Sequence, residues 1–438
     1  MKIHYIFLDG YKNLDHLEID MPDDSLVMGL IGNNGSGKSN VLEALTQVFA
    51  AAYNTETVAF NYKILYSIGE DNYELSNLDE EKFEKNGKKV TKANRPFCLP
   101  RNIFLYYCGE TDRLDQMAFS CVDKACEKSL KNTGNIVIKY LSSVGLREFP
   151  AALLANAIYA NDTFDKVCGL LGIESLEGPV IFYLHRPAWS KKAPITEDSF
   201  WNAQGSVAML LHALKDCGTM SISDRDHAEI QVDEIADLKL DSENPFDLFT
   251  RFEMLMQADV LANIQFQVLK NEVSIPLDYL SEGEKQLAQL LCLLEATKEY
   301  RALFLLDEFD SFLHPSWQRK FAEIISEIHI TGQVLFTTHS PLTLGKMQKE
   351  NIRILKDGDV FEPANDTYNR DITEVLEEIM DVPKRPDDVA DAIKQFRNAA
   401  VHGQKEIAIQ CRERLNELLS EDDPFWVTVT HMMARLER

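Results

Sequence analysis

Hydrophobic and polar positions divide the chain into two stretches of strand–helix alternation with a longer, less regular middle. Residues 3–8 (IHYIFL) and 17–21 (LEIDM) have strand character and are joined by a turn-like GYKN segment. Residues 26–31 (LVMGLI) are almost wholly apolar, the pattern of a strand buried on both faces. A glycine-rich loop follows at once. From Asn40 to Ala52 the apolar positions Val41, Leu45, Val48 and Phe49 then recur with helical period. Residues 60–110 predict more strands, ILYSI and IFLYYC being the clearest. From about 118 to 260 the pattern is mostly helical, interrupted by the strand-like VIFYL at 180–184. The aromatic segments HRPAW (185–189) and FWNAQG (200–205) fit packing and carry no assigned chemistry. No long heptad array occurs, which argues against a long coiled-coil arm.

The second half returns to alternation. ALFLLDE (302–308) predicts a buried strand. Residues 314–330 predict a helix with Trp317, Phe321, Ile324 and Ile328 on one face, and QVLFTTHS (333–340) another buried strand. Residues 351–363 predict a hairpin around Asp357-Gly358. Asn365 to Arg370 is polar and linker-like. The remainder is helical, with Ala408, Cys411, Leu415 and Leu418 spaced for an antiparallel helix pair. Four regions result: 1–117 with the glycine-rich loop and a β-rich part, a helical lobe at 118–265, a second α/β part at 266–364, and a helical appendage at 365–438.

The 438 residues suit two or three packed units and can bury a core without disulfides or structural metals. Hydrophobic residues make up 45% and charged residues 26%, a soluble globular composition. Lys2, His4 and Asp9 make the start unlike a signal peptide. No apolar run reaches the roughly 20 residues of a membrane span. The eight cysteines form no CxxC pair and no zinc-finger spacing, which predicts reduced thiols in a cytoplasmic protein. The balance of 45 basic against 70 acidic residues ill suits a surface meant to coat nucleic acid. One stretch runs the other way, with Lys82, Lys85, Lys88, Lys89, Lys92, Arg95 and Arg101. It fits a solvated hairpin tip first, and otherwise a contact to nucleic acid or an acidic partner.

Four motifs carry chemistry. Gly32-Asn33-Asn34-Gly35-Ser36-Gly37-Lys38-Ser39 fits GxxxxGK[ST], lies between a buried strand and a helix, and so predicts a P-loop. Its backbone N–H groups and the helix N-terminus, through Asn40, would cradle phosphate oxygens. Lys38 would reach the β/γ-phosphates, and Ser39 would coordinate magnesium. At the end of LFLLDE, Asp307 is placed to hold magnesium and Glu308 to polarise a water as general base. Leu280-Ser281-Glu282-Gly283-Glu284 opens an apolar helix with a phosphate-sized N–H nest. His339, ending a buried strand, is placed to sense a γ-phosphate.

The order P-loop, signature, Asp-Glu strand, His resembles the ATP-binding cassette (ABC) ATPase superfamily. The opening Ile6–Leu14, LSEGEKQ and LDEFDSFLHPSWQ resemble its RecF/SMC/OLD branch rather than transporters. The specific motifs cover about 1–60 and 270–360. The resemblance implies an α/β ABC ATPase head with an inserted helical lobe and a C-terminal helical appendage, using ATP and Mg2+. It further implies a homodimer in which Ser281, Gly283 and Glu284 complete the site holding the other subunit's ATP. No clear Q-loop glutamine follows residue 100, so coupling to the lobe is unassigned. Only 99 residues follow His339, and Asp357-Gly-Asp359 falls in a hairpin turn, so a Toprim nuclease domain is rejected. The tail at 375–426 resembles ATPase subunits of Septu-type antiphage systems, free-standing or attached to retrons. That resemblance implies control of a separate HNH-type nuclease and contact with nucleic acid through the complex, with no membrane. Alternatives are a RecF-like DNA-repair ATPase and an ATP-gated ribonuclease toxin. For the toxin, Arg397-Asn-Ala-Ala-Val-His402 fits the HEPN pattern, although exposed polar residues of a helix-turn-helix fit it as well.

Overall fold

The computed structural model describes residues 1–107, 140–190, 193–367 and 385–436. It divides into two units, Met1–Tyr368 and Asn369–Arg438. In the first unit a seven-stranded sheet has the order Asp359–Phe361, Ile352–Lys356, Val27–Gly32, Gln333–Thr337, Leu303–Asp307, Ile103–Tyr107, Leu141–Ser143. All neighbours are parallel except the Ile352–Lys356/Asp359–Phe361 hairpin. The register sets Leu305 beside Leu335 and Phe336 beside Gly29. Leu303–Asp307 and Gln333–Thr337 are buried at every position, which is why both lack a polar alternation. Parallel pairing brings the C-terminal ends of the three central strands to one edge of the sheet. The glycine-rich loop, Asp307-Glu308 and Thr338-His339 therefore emerge side by side.

Helix Lys38–Asn54 buries Val41, Leu42, Leu45, Val48 and Phe49 in one core with Leu303, Leu305 and Leu335. The same core takes in Ile3, Ile6, Leu8, Ile64 and Tyr66 from a six-stranded antiparallel sheet. Two sheets thus share one helix, which explains its broad apolar surface. Helix Pro315–Ile328 stacks Phe321 on Phe309 at 4.0 Å between ring centroids, with Phe336 edge-on to both. Its buried face holds Ile325 rather than the expected Ile324, while Trp317 and Ile324 are half-buried.

The middle of the chain departs from its mostly helical pattern. Helices Phe149–Tyr159, Asp162–Leu171, Gly205–Asp216 and Pro245–Gln257 do form. Beside them lies a five-stranded antiparallel sheet, ordered Thr219–Ile222, His227–Val232, Ile173–His185, Leu261–Lys270, Val273–Pro276. The sequence marked only the VIFYL part of it. The rest are edge or half-wet strands such as His227–Val232, whose buried positions Ala228, Ile230 and Val232 alternate with more exposed ones over too few residues to stand out. The part of the helical expectation at 118–139 lies outside the described residues, as does the linker beyond residue 367.

Among its described residues the second unit has three helices, Asp387–Val401, Lys405–Leu418 and Phe425–Leu436, rather than a pair. Phe396, Ala399, Ala408, Cys411 and Leu415 meet Phe425, Val429 and Met433 of the third helix in a small core. Two amphipathic helices this short would leave one apolar face wet, and the third covers it. Among the described residues no helix is long and apolar enough to cross a membrane.

Candidate nucleotide site

The glycine-rich loop turns sharply between its strand and its helix. A Cβ on Gly32 would stand 2.2 Å from the Leu355 carbonyl oxygen, so only glycine lets the loop leave the sheet there. Gly37, at φ 101°, caps the helix in a conformation other residues rarely adopt, and a Cβ would meet Leu14 at 2.7 Å. Lys38 is buried and folds back, its ammonium donating to the carbonyls of Gly32 (2.9 Å) and Asn33 (3.1 Å). Burial lowers its pKa, against the pull of Glu308 and Asp307. The Ser36 hydroxyl is buried without a partner.

Across the edge of the sheet, Ser39 Oγ donates to Asp307 Oδ1 at 3.0 Å. The same oxygen accepts from Thr337, whose hydroxyl in turn accepts from the Glu308 backbone N–H at 2.9 Å. Thr337 thus ties the two central strands together at the point where the carboxylates leave. Asp307 is 2% exposed, and burial raises its pKa although the Thr337 and Ser39 hydroxyls oppose the shift. Glu308 is half-exposed and held at φ 49°, a costly backbone conformation for a side chain of this kind. Its Oε1 lies 3.5 Å from His339 Nε2. Burial, then Lys38, lowers the His339 pKa below its ordinary value, so its ring is mostly neutral at pH 7. Lys38, Ser39, Asp307, Glu308 and His339 therefore converge on one edge.

The GYKN turn, read from the sequence as a connection within the family-like opening Ile6–Leu14 but given no role at the site, braces this edge. Asn13 donates to the Gly35 carbonyl at 2.8 Å and accepts from Asn40 at 2.6 Å. Tyr11 and Lys12 both donate to the buried Glu43 of the loop's helix. The signal available was an Asn at the close of a turn directly before the second strand. Thr337 was also missed. A polar residue in an otherwise apolar buried strand needs a partner, and that rule would have singled it out.

The signature turn lies elsewhere in the same unit. Ser281 caps helix Glu282–Ala296 in a capping box: Glu284 N–H donates to Ser281 Oγ (3.4 Å), and Ser281 N–H to Glu284 Oε2 (2.8 Å). Lys270 pairs with Glu284, and these contacts outweigh burial to lower the Glu284 pKa. A Cβ on Gly283 would meet the Phe312 carbonyl oxygen at 2.4 Å, so glycine seats the helix start against the 308–314 turn. Ser281, Gly283 and Glu284 face an open cleft of about 450 Å3 lined also by Phe312, His314, Ser316 and Trp317. No residue of 32–40 lines it.

Two further sequence features have local surroundings of their own. The seven basic residues between Lys82 and Arg101 mostly have local partners. Lys82 bonds Glu74, Lys85 pairs with Asp71, Arg95 with Glu81, and Arg101 covers the Tyr300 ring. Lys82–Lys85 and Lys88–Lys89 form a hairpin tip. In the second unit, Arg397 sits 5.4 Å from the Phe425 ring centre, and His402 bonds the Asn398 carbonyl of its own helix.

Comparison with known proteins agrees with the motif order. Residues 1–145 match the family model described as "AAA ATPase domain", and residues 151–345 the one described as "AAA domain, putative AbiEii toxin, Type IV TA system". With the order of the motifs, these two matches support an ABC-type P-loop ATPase. It is similar to "Retron Ec83 probable ATPase" of Escherichia coli, 30% identical over 31% of this chain and 28% of that protein. It is also similar to "Septu protein PtuA" of Bacillus thuringiensis, 28% identical over 32% of this chain and 38% of that one. The chain thus spans little more than a third of these relatives at most. The SMC head domain from Thermotoga maritima aligns over 83% of this chain and 99% of its own, at 13% identity and a TM-score of 0.37.

Proposed function

We propose that this chain is the magnesium-dependent ATP-binding and hydrolysing subunit of a bacterial antiphage defence complex, in which it controls a separate nuclease of HNH type. The observation that carries the ATPase part is the closed set Ser39–Asp307–Thr337–Glu308 beside a buried Lys38. The defence part is supported by the similarity to a retron ATPase and a Septu protein.

The residues fit nucleotide and metal. The loop has glycines where a Cβ would strike the Leu355 carbonyl or Leu14, so the tight turn is kept, and the Ser36 hydroxyl lacks a partner. Ser39 and Asp307 present hard oxygen donors 3.0 Å apart, a donor set suited to magnesium. Magnesium there would neutralise charge on the phosphate oxygens. In the proposed mechanism the Lys38 ammonium leaves the Gly32 and Asn33 carbonyls for the β/γ-phosphates of ATP. The backbone N–H groups from Asn33 to Asn40 bind phosphate oxygens. Glu308, half-exposed beside the site, orients a water and takes its proton as it attacks the γ-phosphate. Neutral His339 donates toward the same phosphate. Ser281, Gly283 and Glu284 of a second copy complete the site from the far side, so ATP joins two chains and hydrolysis releases them. Contact with nucleic acid is assigned to the complex, since the overall balance of 45 basic against 70 acidic residues ill suits this chain to hold it alone.

The test uses purified protein with ATP and magnesium, offered plasmid DNA and bulk tRNA. ATP hydrolysis with both nucleic acids intact is expected. Glu308→Gln should reduce hydrolysis by about 100-fold or more and trap an ATP-bound dimer in size-exclusion chromatography. A wild-type rate in that variant would overturn the mechanism. Cleavage of tRNA by the chain alone, lost in Arg397→Ala/His402→Ala, would replace the defence reading with a ribonuclease toxin.

A further inference from the structure

Asp310 is 3% exposed, lies two residues beyond Glu308, and has no part in the mechanism above. Its Oδ2 accepts from two hydroxyls, Thr338 at 2.5 Å and Thr343. These two threonines flank the turn that carries His339. The Thr338 hydroxyl also accepts from the Ser340 backbone N–H at 2.8 Å, so its proton is directed to Asp310. Ser340 Oγ donates to Gln318 Oε1 at 2.7 Å, and Gln318 Nε2 donates back to the Asp310 carbonyl oxygen at 2.8 Å. The result is a closed ring: Asp310 carboxylate, Thr338, Ser340, Gln318, Asp310 carbonyl. His339 is the residue inside this ring that makes none of its bonds, and its side chain is left pointing at Glu308, 3.5 Å away.

A buried carboxylate is costly unless its acceptor sites are used. Burial raises the Asp310 pKa, and the two threonine hydroxyls oppose that shift. A structural need to join the turn to residue 310 could be met by apolar contact. A carboxylate that grips both ends of one turn instead fixes where that turn points.

We infer that Asp310 is the positioning residue for His339: through Thr338 and Thr343 it locks the His339 turn so that the imidazole faces Glu308 and the γ-phosphate. This rests on the ATPase function proposed above. Misplacing a reacting group by about 1 Å costs on the order of 100-fold in rate, so the loss should appear in kcat and leave ATP binding alone.

The experiment is a double-mutant cycle in the full chain, measuring kcat and KM for ATP. Asp310→Ala should lower kcat by on the order of 10- to 100-fold, with KM unchanged within about twofold. In a His339→Ala background the same change should cost less than about twofold, because the residue it positions is gone. Thr343→Val, a smaller lesion, should show the same pattern at a few-fold, and it carries the test if Asp310→Ala does not fold. Additive losses in the double variant, a rise in KM with kcat kept, or wild-type kcat in the folded single variant would each overturn the assignment. If His339→Ala leaves the rate untouched, the role given to His339 fails and this inference with it, while the ATPase reading stands; if the wild-type chain does not hydrolyse ATP, the proposed function fails and this inference with it. If His339→Ala is slow while Asp310→Ala or Thr343→Val is not, the inference alone fails.

Discussion

The chain opens two helices with a serine-and-glycine turn, and the two helix starts differ. At Lys38 the glycine-rich loop faces the ends of two neighbouring strands. Asp307, Thr337 and Ser39 close on one another there, and the loop's lysine is buried. At Glu282 the Ser281 cap is satisfied within its own turn, and Lys270 holds Glu284. Its outer face then opens into a cleft rimmed by Phe312 and Trp317, with no carboxylate pair and no lysine lining it among the described residues. Both starts offer backbone N–H groups to an anion. In the proposed mechanism only the first has the charges and the base that turn anion binding into hydrolysis. A nest without chemistry becomes useful when a phosphate is brought to it, and in the proposed dimer the second copy brings it.

Separating the two halves is the strongest way to break that comparison. Lys38→Ala should weaken ATP binding by on the order of 10- to 100-fold, since it removes charged hydrogen bonds to phosphate. Ser281→Arg should leave ATP binding by the single chain within about twofold yet stop hydrolysis. Mixing the two inactive variants should restore activity, because one of the two composite sites then has an intact loop and an intact signature. Radiolabelled nucleotide binding and phosphate release read all three. A mixture that stays inactive would mean that each chain works by itself and that the signature cleft serves something else.

A smaller effect concerns the buried carboxylate on the loop side. Burial raises Asp307 above the ordinary carboxylate range, so the folded chain holds that proton more tightly than the unfolded chain. Stability therefore falls as pH rises from the ordinary carboxylate range through the raised value, and the cost is fully present above it. Asp307→Asn should remove the charge and keep an oxygen for Ser39 and Thr337. Without nucleotide it should raise the melting temperature at pH 7.5 by about 2–4 °C, corresponding to about 1 kcal/mol, while impairing hydrolysis. The gain should shrink as pH is lowered toward 4. A melting temperature that falls at pH 7.5 would show that the ionised carboxylate is already well compensated. The signature side has the opposite sign: Glu284 is lowered by Lys270 and Ser281, so no such gain is expected from Glu284→Gln.

The smallest expected effect lies outside both helix starts. Arg397→Ala/His402→Ala should leave ATP hydrolysis unchanged within about twofold and cost the second unit roughly 0.5–1 kcal/mol, through the lost contact with Phe425. Thermal melting followed by circular dichroism would measure it. A large loss of ATPase activity would tie that unit to the nucleotide site.

The legible parts of this molecule were those whose physics is local. The apolar strands at 27–32, 303–307 and 333–337 announce themselves because both faces are buried. The P-loop is a contiguous pattern in which each glycine answers to the backbone, so Lys38 and Ser39 could be named from spacing. The sheet of the middle region was hard to read because its strands are mostly wet on one side and its two long strands, Ile173–His185 and Leu261–Lys270, pair across a long separation. The third helix of the C-terminal unit was lost in a stretch whose end also carries charge.

What the sequence by itself determined is the set of chemical groups and the strand ends that carry them: a lysine and serine on one, an Asp-Glu pair on the next, a histidine on the third. Parallel pairing follows from the buried apolar runs, and it was enough to expect these groups at one edge. Only the tertiary structure decided how they are held. Thr337 bridging Asp307 and Glu308, Asn13 bracing Gly35, and Asp310 gripping the His339 turn join residues between 22 and 33 positions apart. Such bonds have no periodicity and no fixed spacing, because they depend on which strands become neighbours and at what register. That is settled by the packing of the whole core rather than by any segment of it.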